Sequence, residues 1–376
     1  MKKIAAFLFS LAVLFMGPAA HAAQSEMPDL SKAGGAVLIE RDTLRILEEK
    51  DKDKKLPMAS TTKIMTAILA IENGNLNDGI TVSKNASGVE GSSIWLGVGE
   101  HVTLEDLLYG LMLSSGNDAA VAVAEHISGS VDNFVALMNA KAIKIGAKGT
   151  NFANPNGLYD KNHYTTAYDL SLIAAYAMKN ETFRKIVSTV YWEMPWEGHA
   201  YKRVLKNKNR NLWEYEGATG IKTGYTRDAG RCYVGSATKD GMELITVLLD
   251  DYDMFDDSRK VFDYGFTNYQ KVNIVNKGDP LGDAAVQNGL EESVGAIAGA
   301  SYAYPCSGEE LDSVRKTVLL DDSISAPVSR GDVIGKIEVY IGGGKMAEIP
   351  VMADSDVFEN TYEFNLLKVI RNYLFG

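Results

Sequence analysis

The sequence is poor in the residues that most often announce a function. It has only 2 cysteines and 5 histidines among 376 residues. Two cysteines cannot build a disulfide framework, and no His-Glu-x-x-His pair is present to hold a catalytic zinc. There is no basic surplus: 38 Lys and Arg stand against 49 Asp and Glu, a net charge of −11. Nothing neutralises phosphates, so no nucleic acid is expected as a partner. There is no internal repeat, no low-complexity segment and no apolar run of the ~20 residues a membrane span needs. What remains is an ordinary globular composition, 46% hydrophobic and 23% charged. Its length suits two or three domains of roughly 100–200 residues.

The N-terminus reads as an address. Met1-Lys2-Lys3 is a short cationic start, and Ile4 to Met16 is apolar apart from Ser10. Gly17-Pro18 breaks the run, and Ala20-His21-Ala22 supplies a small-x-small cleavage site. These are the parts of a secretory signal peptide, so residues 1–22 are set aside from the fold. Work outside the cytoplasm is the expectation. Cys232 and Cys306 would there meet conditions that allow pairing; two separate thiols are the preferred reading, since their spacing shows no proximity.

Hydrophobic periodicity gives an outline of the rest. Gly35 to Glu40 reads as a strand with Thr43 to Leu47 as its partner, and Ile64 to Glu72 as a helix. Thr103 and Asp106 mark a helix start ahead of Leu104, Leu107, Leu108, Leu111 and Met112. A second helix resumes at Asp118, and Val131 to Ile145 and Thr166 to Lys179 follow. Strands are expected at Gly220 to Thr226, Cys232 to Ala237 and Met242 to Leu249, with a hairpin turn at Lys239-Asp240-Gly241. Val261 to Asn268 returns as a helix. Strands at both ends with helices between predict an α+β body: one antiparallel sheet built from both chain ends, beside a helical lobe. After about 270, short strand-like runs alternate with Gly and Pro turns, the texture of a small all-β domain. In the tail, Phe358, Tyr362, Leu366, Val369, Ile370 and Tyr373 share one helical face, against Glu359, Glu363, Lys368, Arg371 and Asn372. That is an amphipathic helix suited to lying in a membrane surface; packing on the β domain is the alternative. The expected division is a signal peptide at 1–22, a catalytic domain at 23–268, a β-rich domain at 269–355 and the amphipathic helix at 356–376.

Three short motifs carry chemistry. In Ser60-Thr61-Thr62-Lys63 a serine opens a helix and a lysine follows three positions on, so both project from one face. A serine is a nucleophile only when a base takes its proton, and a lysine can be that base only when burial or nearby positive charge lowers its pKa. Ser115-Gly116-Asn117 breaks two apolar helices and offers a hydroxyl and an amide. Lys222-Thr223-Gly224 lies in a strand where the glycine would let a substrate backbone approach. Alone, each has a plain structural reading: a helix cap, a loop, an edge strand. In this order, each on the element type the chemistry needs, they point to a site. Trp95 and Tyr109 are further candidates for lining a groove, though single aromatics are usually core; Cys232 lies near enough to Lys222 for a bulky thiol adduct to disturb it, though a small buried residue is the preferred reading.

On these motifs, together with Leu113 to Ala120 and Asn154-Pro155-Asn156-Gly157-Leu158, the chain resembles the D-alanyl-D-alanine carboxypeptidases, low-molecular-mass penicillin-binding proteins of the serine peptidase type. The resemblance covers nearly the whole chain. It implies a β-lactamase/transpeptidase-like sheet and helical lobe, no metal and no cofactor. It implies that Ser60 attacks the bond between two terminal D-alanines of a peptidoglycan stem peptide, that Lys63 takes its proton, and that Ser115 relays a proton to the leaving D-alanine. Asn117 would bind the peptide amide, Lys222 and Thr223 the terminal carboxylate, and the Ser60 and Tyr225 N–H groups the oxyanion. β-Lactams would inhibit by acylating Ser60. The expected location is the outer face of the bacterial cytoplasmic membrane, held through the C-terminal helix. One departure is visible. Family members often carry an arginine after the strand that follows Lys-Thr-Gly, but here Asp250 to Asp257 is acidic and reads as a solvated loop, with Arg259 the nearest arginine. Either Arg259 reaches in, or Lys222 and Thr223 do more of the binding. The alternatives are a β-lactamase, against which no Glu-x-x-x-Asn spacing occurs between Asn117 and Lys222, and a wall-binding protein of the same fold without turnover.

Overall fold

The computed structural model describes residues 25, 26, 28–321, 324–361, 371, 373 and 374. The signal peptide expected at 1–22 therefore lies outside the described residues. The chain forms two compact units that divide between Asn268 and Tyr269.

In the first unit β1 (Gly35–Glu40) is buried at all six positions. It pairs antiparallel with β2 (Ile46–Lys50). The partner strand starts three residues later than Thr43 because Glu40 claims the turn: its Oε2 accepts from Thr43 N at 2.8 Å and from Thr43 Oγ1 at 2.7 Å. A 3-10 turn at Ala59–Thr62 runs into α1 (Lys63–Asn73), whose residues from Lys63 to Ala70 are all buried. A helix apolar on every side belongs in a core, and α1 is the centre of the lobe. Around it lie β3 (Gly79–Thr81), β4 (His101–Thr103), α2 (Leu104–Leu113), α3 (Asn117–Ser128), α4 (Val131–Ile145), α5 (Ala167–Ala177) and α6 (Glu181–Ser188). Side chains cap these helices: Thr103, Ser130, Thr166 and Asn180 each accept from an N–H of the first turn. A two-stranded hairpin, β5 (Tyr191–Met194) with β6 (Arg203–Lys206), and the short α7 (Asn211–Glu214) complete the lobe.

The chain then returns to the sheet as β7 (Ala218–Thr226), β8 (Gly230–Lys239) and β9 (Met242–Leu249). The order is β2-β1-β9-β8-β7, all antiparallel, so the first strand pairs with the last, Val37 opposite Val247. Asp240 (φ 50°) and Gly241 (φ 75°) make the two-residue turn between β8 and β9. α8 spans Met254–Asn268, starting seven residues before the expected Val261. The acidic run is thus only in part a solvated loop: Asp250, Tyr252 and Asp256 are exposed, but the helix begins at Met254. Asp251 and Asp257 are buried, Asp251 Oδ1 accepts from Asp253 N at 3.0 Å, and Asp256 and Asp257 sit at the positive end of α8. Burial pushes Asp251 up to about 6.

The second unit is nearly all β. β10 (Tyr269–Val275) pairs with β13 (Tyr302–Ser307), and the short helix α9 (Gly308–Leu311) follows directly. β11 (Pro280–Gln287), β12 (Ser293–Ala298), β14 (Arg315–Leu320), β15 (Ile324–Ser325), β16 (Val333–Ile341) and β17 (Gly344–Ala353) form a sheet ordered β14-β16-β17-β12-β11-β15. Ile337, Val339, Val351 and Ala353 form part of its core. The amphipathic helix expected from 356 does not begin there. Val357 bridges Val328 and Glu359 bridges Gly289, so this stretch is extended, and Phe358 is exposed. Extended pairing satisfies these backbone groups before a helix can. Residues 362–370, where most of the helical pattern falls, lie outside the described residues; Arg371, Tyr373 and Leu374 are helical and exposed. No helix among the described residues is long and apolar enough to cross a membrane. Cys232 and Cys306 are buried thiols, one in each unit.

Candidate active site

Ser60 stands in the 3-10 turn rather than in the helix proper. Ala59 before it is held at φ 46°, a left-handed conformation that non-glycine residues rarely take. The two threonines of the motif fix the turn. Thr61 Oγ1 donates to Met58 O at 2.6 Å and Thr62 Oγ1 to Ala59 O at 2.8 Å. His163 supports this from behind: Nδ1 accepts from Ala153 N at 2.9 Å, so Nε2 carries the proton and donates to Thr62 Oγ1 at 2.7 Å. Burial brings His163 down to about 4, which keeps it neutral.

Lys63 is fully buried, and its Nζ has three oxygen partners: Ser60 Oγ at 3.0 Å, Asn117 Oδ1 at 2.7 Å and the Asn156 carbonyl at 2.5 Å. No carboxylate among the described residues bonds it. Burial holds its pKa well below the usual lysine range, and the Lys222 and Lys208 charges add to the effect against a weaker opposing pull from Asp118. The geometry then assigns the protons. A neutral amine has two N–H groups and one lone pair. Asn117 Oδ1 and Asn156 O can only accept, so they take the N–H groups. The lone pair falls to Ser60, the one partner with a proton to give.

Asn117 opens α3, one residue before the Asp118 expected from the sequence. Its Nδ2 donates to Glu90 O at 2.6 Å while Oδ1 receives Lys63. One Nδ2 hydrogen remains for a ligand carbonyl. Ser115 is buried at φ 66° between α2 and α3, and its hydroxyl has no protein partner among the described residues. Lys222 lies buried on β7 and donates to Thr223 O at 2.9 Å. Desolvation, and secondarily Lys208, bring it down to about 7. Thr223 is at the limit of burial, whereas Tyr225 is 68% exposed.

β7 is an edge strand, so its backbone groups turned away from β8 are free to meet a ligand. The close approach at Gly224 is not to a ligand, as the sequence suggests, but to the chain itself. A methyl there would sit 2.8 Å from Ser60 N and 3.1 Å from Ala59 Cβ. At Gly157 (φ 89°) a methyl would overlap the Ala59 carbonyl. These two glycines let β7 and the 154–158 loop close on the turn that carries Ser60.

The remaining candidates resolve as follows. Tyr109 is not in a groove; it is buried and stacks on Trp192 at 3.8 Å. Trp95 is 74% exposed. Arg259 does not reach in, because Asn211, Glu214 and Asp256 hold its guanidinium. Cys232 pairs in register with Gly224, is wholly buried, and has its thiol pushed up to about 12, so it is inert. Three contributors were not singled out from the sequence: the Asn156 carbonyl, Lys208, whose Nζ donates to Ser92 Oγ at 3.0 Å, and Arg231. Arg231 faces Tyr225 across the β7–β8 pair and lines a cavity of about 340 Å³ with Tyr225, Gly230, Asp250 and Tyr252. Backbone acceptors carry no side-chain signature, and isolated basic residues at a loop or strand end resemble any surface lysine or arginine.

Comparison with known proteins identifies the family. Residues 21–253 match the family described as D-alanyl-D-alanine carboxypeptidase, and residues 269–359 match the C-terminal domain of penicillin-binding protein 5. A D-alanyl-D-alanine carboxypeptidase, DacF, of Bacillus subtilis (strain 168) is 34% identical over 368 residues, 94% of each chain. The solved structure of penicillin-binding protein 5 from Haemophilus influenzae superposes with a TM-score of 0.75 at 31% identity, covering 89% of this chain and 99% of that one. A mutant of the Streptomyces K15 DD-transpeptidase gives 0.59 at 35% identity over 62% of this chain and 98% of its own.

The contact at Gly224 yields a prediction. Gly224→Ala should leave the protein folded, with its circular dichroism unchanged. It should slow acylation by labelled penicillin about 100-fold, because a displacement near 1 Å of reacting groups is that damaging. A wild-type labelling rate would show that the contact does not position Ser60.

Proposed function

The chain belongs to the D-alanyl-D-alanine carboxypeptidase family and is a serine-type carboxypeptidase, and from that premise we propose how its own residues perform the hydrolysis. The observation that carries the proposal is the buried Lys63 amine, 3.0 Å from Ser60 Oγ with two pure acceptors on its other sides.

The substrate is a peptidoglycan stem peptide ending in D-Ala-D-Ala. Its backbone lies along the open side of β7, its amide groups meet Asn117, and its terminal carboxylate meets Lys222 and Thr223. Lys63 accepts the Ser60 proton as Oγ bonds to the carbonyl carbon between the two D-alanines. The N–H groups of Ser60 and Tyr225 take the oxyanion. The C–N bond breaks as Lys63 gives up the Ser60 proton through Ser115 to the departing nitrogen, and free D-alanine leaves. Water then attacks the ester, giving its proton to Lys63, and Ser60 is restored. A β-lactam enters the same path and leaves an ester on Ser60. No carboxylate bonds Ser60, Lys63 or the Asn117 side chain among the described residues, which favours slow release of that ester over β-lactamase turnover.

The N-terminal pattern supports export and the C-terminal pattern supports attachment to the outer face of the bacterial cytoplasmic membrane. The exposed Tyr373 and Leu374 belong to the apolar content of that tail.

Three outcomes are expected. Ser60→Ala should abolish both D-alanine release and the mass increase on penicillin treatment; an adduct that persists would place the nucleophile elsewhere. The second concerns pH. A carboxylate bound to Lys222 favours its charged form. Below about 7 the lysine is already charged, whereas above about 7 the free enzyme must take up a proton to bind. KM for diacetyl-Lys-D-Ala-D-Ala should therefore rise as pH passes 7, approaching about tenfold per unit, and Lys222→Arg should flatten the curve. A flat wild-type profile would remove Lys222 from carboxylate binding. Third, deleting residues 362–376, which leaves the Val357 and Glu359 pairings of the β domain in place, should end sedimentation with lipid vesicles and spare D-alanine release; continued sedimentation would refute the anchor.

A further inference from the structure

An aromatic cluster that the catalytic residues do not use stands beside the cleft. Trp95 and Tyr201 are largely exposed, at 74% and 62%. Trp196 stacks on His199 with ring centres 4.3 Å apart and meets Tyr201 edge-on at 5.7 Å. One buried arginine links these groups. Arg203 is paired to Glu100 at 3.0 Å, donates from Nη2 to the Trp95 carbonyl at 3.1 Å, and lies 4.6 Å from the centre of the Trp196 ring.

Trp95 is presented by construction. Its φ of 62° is an outlier for a bulky residue. The loop around it is pinned by Asp118, which accepts from Ser93 Oγ, Ile94 N and Leu96 N, and by the Trp95 N–H on Ser93 Oγ. A rigid, strained loop that holds an indole in water is the arrangement of a contact residue. The same loop starts at the site. Ser92 O accepts from Asn117 N at 2.7 Å, and Ser92 Oγ accepts from Lys208. Three residues at no more than ~3.6 Å each keep Trp95 within about 11 Å of Ser92.

We propose that this aromatic rim, centred on Trp95, is a docking platform for the glycan backbone to which the stem peptide is attached, with pyranose rings stacking on the aromatic faces. The proposal rests on the stem-peptide reading above. A five-residue stem held by its C-terminal end at Ser60 spans at most about 18 Å, so its sugar must lie near the cleft, and the rim begins one hydrogen bond from Asn117. Acetylated amino sugars are uncharged and have flat C–H faces, which suit the exposed rings of Trp95 and Tyr201. An anionic wall polymer would meet a chain of net charge −11.

The test compares two substrates of the full-length enzyme: a disaccharide-pentapeptide and diacetyl-Lys-D-Ala-D-Ala. Trp95→Ala should raise KM for the first roughly three- to tenfold, the worth of one aromatic contact, with kcat unchanged. It should not alter the second, or penicillin acylation. Trp95→Phe should recover most of the loss, and the effect should be the same at low and high salt. Equal losses on both substrates would make Trp95 a support for the cleft alone, and no loss on either would remove the platform. A loss that disappears at high salt would point to an anionic polymer and overturn the proposal. If the wild-type enzyme released no D-alanine from the short peptide, the catalytic reading would fail by itself. Quenching of tryptophan fluorescence by uncharged N-acetylglucosamine oligosaccharides, present in wild type and absent in Trp95→Ala, would still decide the platform.

Discussion

The chemistry depends on keeping one amine dry. An isolated ammonium buried without a carboxylate is expensive, so the group sheds its proton instead. Lys63 meets that condition: only uncharged oxygens bond its Nζ, and its closest cationic influences are Lys222 and Lys208. Asp118 is the nearby carboxylate, but its oxygens are used by Ser93, Ile94 and Leu96. The fold therefore holds two buried lysines in one cleft and is less stable for it. For Lys222 the sign can be worked out. Between about 7 and 10.5 the unfolded chain binds a proton that the folded chain does not, so stability rises with pH across that window. The dense apolar core of the lobe, with α1 at its centre, supplies the compensation.

Convergence of the three motifs follows from the sheet order. Because β1 pairs with β9, the two ends of the first unit are closed together and the whole helical lobe is an excursion between them. The lobe carries Ser60, Lys63, Ser115 and Asn117, while β7, the outermost strand, carries Lys222, Thr223 and Tyr225. The cleft is the seam between that strand and the lobe. Its narrowness requires missing side chains where the walls touch, at Gly224 and Gly157. It also requires left-handed backbone at Ala59 and Ser115. Such strain persists only when the surroundings over-determine it, which the threonine and His163 hydrogen bonds behind Ser60 do.

The side chains that converge in the cleft were legible in the sequence because the proposed nucleophile, base and carboxylate-binding lysine are residue types with a fixed local spacing. The long helices and central strands were legible for a similar reason: α4 and β9 have the expected bounds, each supported by a strong apolar pattern and a cap or tight turn. Short elements were not. α6 has only Phe183, Ile186 and Val187 buried, and β3 to β6 are three or four residues long, too few for a period to register. α8 was cut short because its first turns are acidic, and charge masks a helix whose buried face begins at Met254 and Asp257. The Asn156 carbonyl was invisible for a deeper reason. A backbone oxygen belongs to every residue, and only the fold decides which one faces Lys63.

The difference between a peptidase and a β-lactamase lies in the second step. Both need an acylated serine, and the distinction is what brings water to the ester. Around Ser60 the polar groups are an amine, carboxamides, hydroxyls and Lys222, and no carboxylate bonds the Ser60–Lys63–Asn117 group among the described residues. In the proposed mechanism the base for water is then Lys63 again, acting on the side of the ester that the leaving group vacates. A departing D-alanine empties that space and water follows it. The amine expelled from a β-lactam stays tethered to the acyl group, occupies the same space and keeps its own nitrogen against Lys63 and Ser115. One arrangement of four groups thus hydrolyses a peptide ester and retains a lactam-derived one, because what varies is where the leaving nitrogen goes.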